Sequence, residues 1–319
     1  MGINFLKPRV KILYNGADKT HLMTWHKIKI EDNEGDEADK LNINLAWHNA
    51  KPRVKDEIKI YVNDYFLGSF TIVALKYDYK RSIEIEAISA DFTKDFKTKK
   101  NRTFLNKTYA DIIKQLAREN SYDFKIDFAR SSEVVTLEQH DQSDVAFLDK
   151  TAKDLNLSFS VKNNTLIFYD RDKNSDRVTY EYDANNAISF SWEEKETTKY
   201  GSCEVTWHNT KSGADEVVRV GQGAPTLKLV SMQDSEDEAL KLANSKLQNQ
   251  KNGEKSANLK ILGEPFFAGG FLKLTPDGRD EPFKFIIKKI THNIDSSWQS
   301  DLELFWLVCH KTTCRFLIK

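Results

Sequence analysis

Over most of the first 90 residues, apolar and polar side chains alternate with a period of two, as in strands that bury one face. "RVKILYNG" (9–16) alternates into an Asn15-Gly16 turn signal. "HKIKIED" (26–32) and "KLNINLAW" (40–47) alternate on either side of the acid-rich "EDNEGDEAD". "DEIKIYVNDYFLGSFTIVALKYDY" (56–79) reads as two strands about an Asn63-Asp64 turn, and "RSIEIEAISA" (81–90) as another strand.

The period then changes. Thr108 and Asp111 form a capping-box-like start, and Ile112, Ile113, Leu116 and Ala117 share one helical face. "YDFKIDF" (122–128) returns to a strand. In "SDVAFLDKTAKDLNLSFSVKNNTLIFYD" (143–170), Ser143 is placed as N-cap, with Asp144 in the first turn. Val145, Leu148, Ala152 and Leu155 make the stripe, and Asn156 ends the helix in the left-handed conformation. Two strands about Asn163-Asn164 follow. From residue 178 the chain alternates again in "RVTYEYD", "AISFSWEE", "SCEVTWHNT" and "EVVRVG". One helix interrupts, capped by Ser235 and Glu238, with Ala239, Leu240, Ala243 and Leu247 on its stripe. "GGFLKLTPDGRDEPFKFIIKKITHNI" (269–294) reads as two strands about Pro276-Asp277-Gly278, and "SDLELFW" (300–306) closes the series.

The two β regions share a pattern. Phe70, Ile72, Leu75, Tyr77 and Asp78 have the spacing of Phe285, Ile287, Ile290, His292 and Asn293. Ile58 and Ile60 precede the first set, and Leu272 and Leu274 the second; "SIEIEA" and "DLELFW" follow. Any half-buried strands alternate, so a duplicated β-module and coincidence both remain open.

With 319 residues the chain is long enough for two or three domains. Lys and Arg total 48, as do Asp and Glu, so the balance does not suggest a nucleic-acid binder. Three cysteines do not make a disulfide framework. The opening residues carry no signal-peptide-length apolar run, and no stretch approaches the roughly 20 apolar residues of a membrane helix. A protein made in a reducing cytoplasm, or released from it by lysis, is expected.

Candidate chemistry is sparse. The acidic loop reads as a solvated turn, because the calcium-loop spacing and closing Glu are missing. His140 lies near Asp141 and Asp144, but a loop entering a capped helix explains those acids. Cys203 and His208 fall on opposite faces of one strand, as do the adjacent Glu193 and Glu194. Cys309, His310 and Cys314 are the densest ligand group, at spacings no common zinc site uses. Gly221-Gln222-Gly223 is no phosphate loop, and no serine sits in a nucleophile elbow. No residue is assigned to catalysis, a cofactor or a metal, and a non-enzyme is expected.

The order of elements resembles the phage late control protein D family, the baseplate hubs of contractile-tailed phages, and is similar to the hub portion of the type VI secretion spike protein VgrG. The family's "Q…SDxxFLxxLAxxxG" helix corresponds to Gln142, Ser143, Asp144, Phe147, Leu148 and Ala152. Lys150-Thr151 replaces the usual Arg-Leu, and Asn156 the Gly. The closing "A…A…G.P…G…V.H" pattern corresponds to Ala239, Ala243, Gly263, Pro265, Gly270, Ile290 and His292. The likeness spans about residues 5–305. It lacks VgrG's OB-like segment and needle, and "LVCHKTTCRFLIK" matches nothing in the family.

The resemblance implies a mainly β fold with an α+β insert: a first β-barrel module (1–95), an αβ domain of helix and hairpin (96–177), a second barrel module with one helix (178–306) and an unassigned tail (307–319). It implies a homotrimer whose six barrel units adapt a sixfold tail tube to a threefold central spike. The partners would be tube, spike and other baseplate proteins in a virion tail, with no nucleic acid bound and no membrane inserted. Trp25, Trp47, Trp192 and Trp298 are possible contact anchors, though core packing competes for each. The rival readings are a tail-associated cell-wall hydrolase, with acids or histidines lining a pocket, and a host-surface-binding β-protein, with aromatic platforms on loops.

Overall fold

In a computed structural model, residues 7–34, 37–47, 52–89, 94–162, 165–170, 177–194, 200–209, 212–230, 235–252, 255–275 and 282–306 are described. The fold is mainly β. The first strands are β1 (Val10–Tyr14), β2 (Ala17–Asp18), β3 (Trp25–Asn33), β4 (Lys40–Ala46), β5 (Glu57–Val62), β6 (Tyr65–Asp78) and β7 (Ser82–Ser89). Alternation sets their inner faces: Ile28 and Ile30, Leu41, Ile43 and Leu45, Ile58 and Ile60, and Ile83 and Ile85 are all buried. Asn15 and Gly16 both adopt positive φ, as do Asn63 and Asp64. Each pair makes a two-residue hairpin turn, closing Tyr14 onto Ala17 and Val62 onto Tyr65.

The insert contains α1 (Lys94–Lys97), β8 (Lys99–Thr108), α2 (Tyr109–Glu119), β9 (Asp123–Asp127), β10 (Val134–Ser143), α3 (Asp144–Asp154), β11 (Leu157–Lys162) and β12 (Thr165–Asp170). The Thr108 hydroxyl accepts from the Asp111 amide at 3.0 Å, and the Ser143 hydroxyl from Ala146 at 3.3 Å, so both helices start at their caps. Asn156 ends α3 with φ 54°. Strands β11 and β12 pair antiparallel, and β9 adds to β12 in parallel; the expected Asn163-Asn164 turn lies outside the described residues. Ile112, Leu116, Leu148, Ala152, Phe159 and Phe168 belong to one core. The antiparallel pair of β8 and β10 was not evident from the sequence, since most β10 side chains are polar.

The remaining strands are β13 (Thr179–Asp183), β14 (Ser189–Glu194), β15 (Ser202–Asn209), β16 (Ala214–Gly221) and β17 (Thr226–Val230). Helix α4 (Glu236–Asn252) precedes β18 (Lys255–Leu262), β19 (Phe271–Thr275), β20 (Phe283–Ile294) and β21 (Trp298–Trp306). Here the structure adds a distinction. Strands β15, β16 and β17 form a sheet of their own. They pack with Ala239, Ala243 and Leu247 of α4 around Cys203, Val205 and Trp207.

The large sheet has two six-strand sets. The first runs β3-β4-β7-β6-β5-β1, and the second β14-β18-β21-β20-β19-β13. Ranked by chain position within each set, both orders are second, third, sixth, fifth, fourth, first. Both also have a bulge at the corresponding place. The β6–β7 register shifts between Ile72 and Ala74, and the β20–β21 register between Ile287 and Lys289. Ile58 pairs with Phe70 as Leu272 pairs with Phe285. One difference is orientation: β1 is antiparallel to β5, whereas β13 is parallel to β19. The sets join where β3 pairs with the second half of β20.

Candidate functional site

The dispersed candidates do not converge. His140 is exposed, and Asp141 pairs with Lys99 at 2.9 Å. Cys203 is fully buried while His208 is exposed on the other face, where Nδ1 meets Asp215 at 2.9 Å. Cys309, His310 and Cys314 lie outside the described residues, as does the side chain of Glu194. Among the described residues, no group of three or more His, Cys, Asp or Glu is arranged to hold a metal, and no helix is long and apolar enough to cross a membrane. Of the four tryptophans singled out, Trp298 is buried, Trp25 and Trp47 pack against the first core, and Trp192 is 51% exposed.

Both flanks of the acidic stretch are engaged in the fold, although its composition suggests a solvated turn; residues 35–36 lie outside the described residues. Asp32 and Asn33 are buried at the end of β3. Lys162, from β11, donates to Asp32, and to Asp39 at 2.6 Å. Asp32 also accepts the Ala268 amide at 2.8 Å, and Asp39 accepts that of Asn33 at 2.9 Å. One charge cluster thus ties the first strand set, the insert and the loop before β19. Burial and the neighbouring Asp32 carboxylate push Asp39 up to about 7, against the pull of Lys162. Burial disfavours the Lys162 ammonium, but Asp32 and Asp39 hold its pKa above the ordinary lysine value.

Asp144, at the first turn of α3, is the second buried charge. It accepts from Lys100 at 2.7 Å, Gln139 at 2.9 Å and Asn120 at 3.0 Å, and pairs with Arg102. Burial works against its ionised form, but the hydrogen bonds from Lys100, Gln139 and Asn120 and the Arg102 charge prevail, holding its pKa below the usual aspartate value. The carboxylate therefore fastens α3 to β8, β10 and α2; its neighbours are not metal ligands.

The residues of the closing motif are places where size is constrained. Ala239 and Ala243 are fully buried where α4 meets β15 and β16. A Cβ on Gly263 would overlap the Trp298 indole, and one on Gly270 would stand 2.7 Å from the Tyr180 ring. His292 is buried between these parts. Trp298 Nε1 donates to His292 Nδ1 at 3.2 Å, and Ser300 Oγ lies 2.8 Å from the same nitrogen. These motif residues meet one another through packing and the hydrogen bonds of His292.

The sequence profile of the phage tail baseplate hub (GPD) family matches residues 78–298, over two thirds of the chain. This chain belongs to that family. The match spans both the Asp144 helix and the Gly263–His292 motif. A comparison with curated proteins finds no match. Among solved structures, a tail protein from Neisseria meningitidis MC58 is 13% identical, with a TM-score of 0.74 over 94% of this chain and 97% of its own. The 43 kDa tail protein of prophage MuSo2 from Shewanella oneidensis is 12% identical, with a TM-score of 0.71 over 92% and 97%. An E. coli type VI secretion component, described as similar to T4 tail proteins gp27 and gp5, is also 12% identical, with a TM-score of 0.58 over 89% and 74%. These likenesses concern the fold, which the chain shares along nearly its whole length.

His292 gives the hub a pH dependence. Burial lowers its pKa from 6.5 to about 4, so the folded state takes up its proton less readily than the unfolded chain. Its contribution is complete above about pH 6.5 and lost as pH falls through 4. That lowering corresponds to about 3 kcal/mol. Urea unfolding at pH 7 and pH 4 should show the stability advantage of the natural protein over His292→Gln shrinking by about that amount. A gap unchanged with pH contradicts a neutral buried imidazole.

Proposed function

We propose that this hub adapts a sixfold tail tube to a threefold central spike. Three copies form a ring, and each supplies two β-modules of similar fold, so six modules face the tube. The observation that carries this reading is the shared strand order with its bulge after Ile72 and after Ile287. A duplicated module in a trimer presents a near-sixfold surface while keeping a threefold axis for the spike. The modules are taken as residues 1–95 and 178–306, with 96–177 as an αβ insert and 307–319 outside the described residues.

The partners are two further copies of the chain, the tail tube protein, the spike protein and other baseplate proteins. The role is mechanical: it needs no catalytic group or cofactor, no nucleic acid and no membrane insertion. The protein is made in the bacterial cytoplasm and built into the virion tail, or into a related injection device. The insert braces the ring from outside the strand sets through the Lys162 cluster.

The test is reconstitution with the tube and spike proteins of the same tail. Electron micrographs should show one hub ring capping one end of each tube, with a spike on its far side. Tubes that stay uncapped when hub and spike are in excess overturn the adaptor reading.

A further inference from the structure

The junction inside the chain has a counterpart in each strand set that no described strand fills. Strand β20 is shared. Its first part pairs with β19, ending at Ile286 opposite Phe271, and its second part, Lys289–Ile294, pairs with β3. In the first strand set, β6 pairs with β5 only as far as Thr71 opposite Glu57. Thr71 corresponds to Ile286 in the shared strand order. Beyond it, on the side away from β7, no described strand pairs with Val73–Asp78. Strand β14 is the second-set counterpart of β3. It pairs with β18, and no other described strand pairs with it.

Both edges carry exposed aromatic and aliphatic residues. Tyr77 and Tyr79 pack edge-on against Trp47 but are 43% and 73% exposed, and Val73 beside them is 45% exposed. On β14, the Trp192 ring lies tilted 5.3 Å from that of Phe190 yet remains 51% exposed, and Ile188, just before the strand, is 47% exposed. Surface of this kind at a strand edge marks a contact.

We propose that β14 of one copy pairs antiparallel with the second half of β6 of the next copy, repeating between copies the β3–β20 junction found within each. This rests on the ring reading above and deepens it by naming the surfaces that close the ring. The register follows from the internal junction. There, Thr291 stands opposite Glu31, His292 opposite Ile30 and Ile294 opposite Ile28. The strand orders and ladder registers place Lys76 and Tyr77 at the positions of Thr291 and His292, and Tyr79, in the turn just past β6, falls two residues on from Tyr77 as Ile294 does from His292. They place Phe190, Trp192 and Glu193 at those of Ile28, Ile30 and Glu31. Lys76 then meets Glu193, Tyr77 meets Trp192 and Tyr79 meets Phe190.

The chemistry of each pair fits. Lys76, which bridges to Glu84 at 3.3 Å within its own copy, would share its charge with Glu193 on the outward side, where the internal junction has Glu31 bound to Lys289 at 3.0 Å. Two aromatic pairs face inward, where cross-strand aromatics are favourable. The contact joins unlike edges, so it repeats head to tail. Because internal and external junctions are alike, each advances the ring by one module, and three chains close it.

Directly opposed residues in an antiparallel pair have Cα atoms about 4.5–5.5 Å apart, within reach of a disulfide. The experiment uses the full chain with Cys203, Cys309 and Cys314 replaced by alanine, after confirming that its native mass matches the natural protein. Oxidising the Lys76→Cys/Glu193→Cys variant should convert it to covalent trimers on a non-reducing gel. Lys76→Cys/Ser189→Cys, four residues out of register, should not cross-link, because that places the thiols about 13 Å apart along the strand. Separately, Lys76→Glu or Glu193→Lys should each weaken trimerisation about tenfold, and the two together should restore it. A protein that is trimeric by mass but does not cross-link overturns this pairing and leaves the ring reading standing. Open covalent ladders beyond three copies support the pairing and overturn threefold closure. A chain that stays monomeric with its spike partner present overturns both.

Discussion

Lys162→Ala is expected to lower the unfolding free energy by about 3–5 kcal/mol, the usual range when one partner of a buried ion pair is removed. Asp32 is 6% exposed at its side chain and Asp39 13%. Without the ammonium, the Asp32 carboxylate and the Asp39 carboxyl, which burial already pushes up to about 7, face each other away from solvent, and Asp39 is driven to keep its proton. The Ala268 and Asn33 amides still donate to them, but neither carries a full charge. Urea unfolding at pH 7 measures the loss. The decisive control is Lys162→Met combined with Asp32→Asn and Asp39→Asn, which removes the charges together. It should recover most of the stability, because the large cost belongs to the unpaired carboxylates. If the triple variant is as unstable as the single one, the cluster acts by shape and not by charge. Hydrogen exchange should place the Lys162→Ala loss at the meeting of β3, β11 and the 264–270 loop.

Asp144→Ala should have an effect of similar size, about 3 kcal/mol or more. Its side chain is fully buried, and four groups from three other elements converge on it: Lys100, Arg102, Asn120 and Gln139. Removing it takes one acceptor from each of two partly buried cations and two amides, although Arg102 keeps Glu119, Asn120 keeps the Leu116 carbonyl and Gln139 keeps the Gln142 carbonyl, and it strips α3 of its first-turn acid. The loss should appear as weakened packing of α3 and α2 on β8 and β10, with the two strand sets less affected. Asp144→Asn keeps the shape and removes the charge, so it separates hydrogen bonding from charge pairing. It should lie between the natural protein and Asp144→Ala. Because the carboxyl's pKa is held below the usual value, the natural protein's advantage over Asp144→Asn is present above the unfolded aspartate's pKa near 3.8 and is lost as pH falls below it.

Local features of the fold were legible because their causes are local. Asn15-Gly16 and Asn63-Asp64 dictate their turns through positive φ, and Thr108, Ser143 and Ser235 cap their helices through the amide three residues on. The recurring spacing of Phe70–Asp78 and Phe285–Asn293 was visible as well, and the shared strand order gives it a physical basis. Features set by distant residues were hidden. Lys162 and Asp32 are 130 positions apart, and composition made the acidic loop look solvated. Strand β10 is mostly polar, so the small sheet it makes with β8 left no clear alternation. Strands β15 and β16 read as more of the second set, because alternation reveals that a strand has a buried face and not which sheet it joins. The motif glycines Gly263 and Gly270 were noticed by resemblance, and their cause, the rings of Trp298 and Tyr180, needed the fold.

The most direct test of the account is the rotational symmetry of the assembled hub, determined by cryo-electron microscopy of the chain with its spike protein. A hub of the proposed kind forms a ring of three subunits with six similar β lobes around one lumen, and the insert of each subunit outside the lobes. A ring of six subunits, a twofold dimer, or three lobes on the tube-facing side in place of six would contradict it.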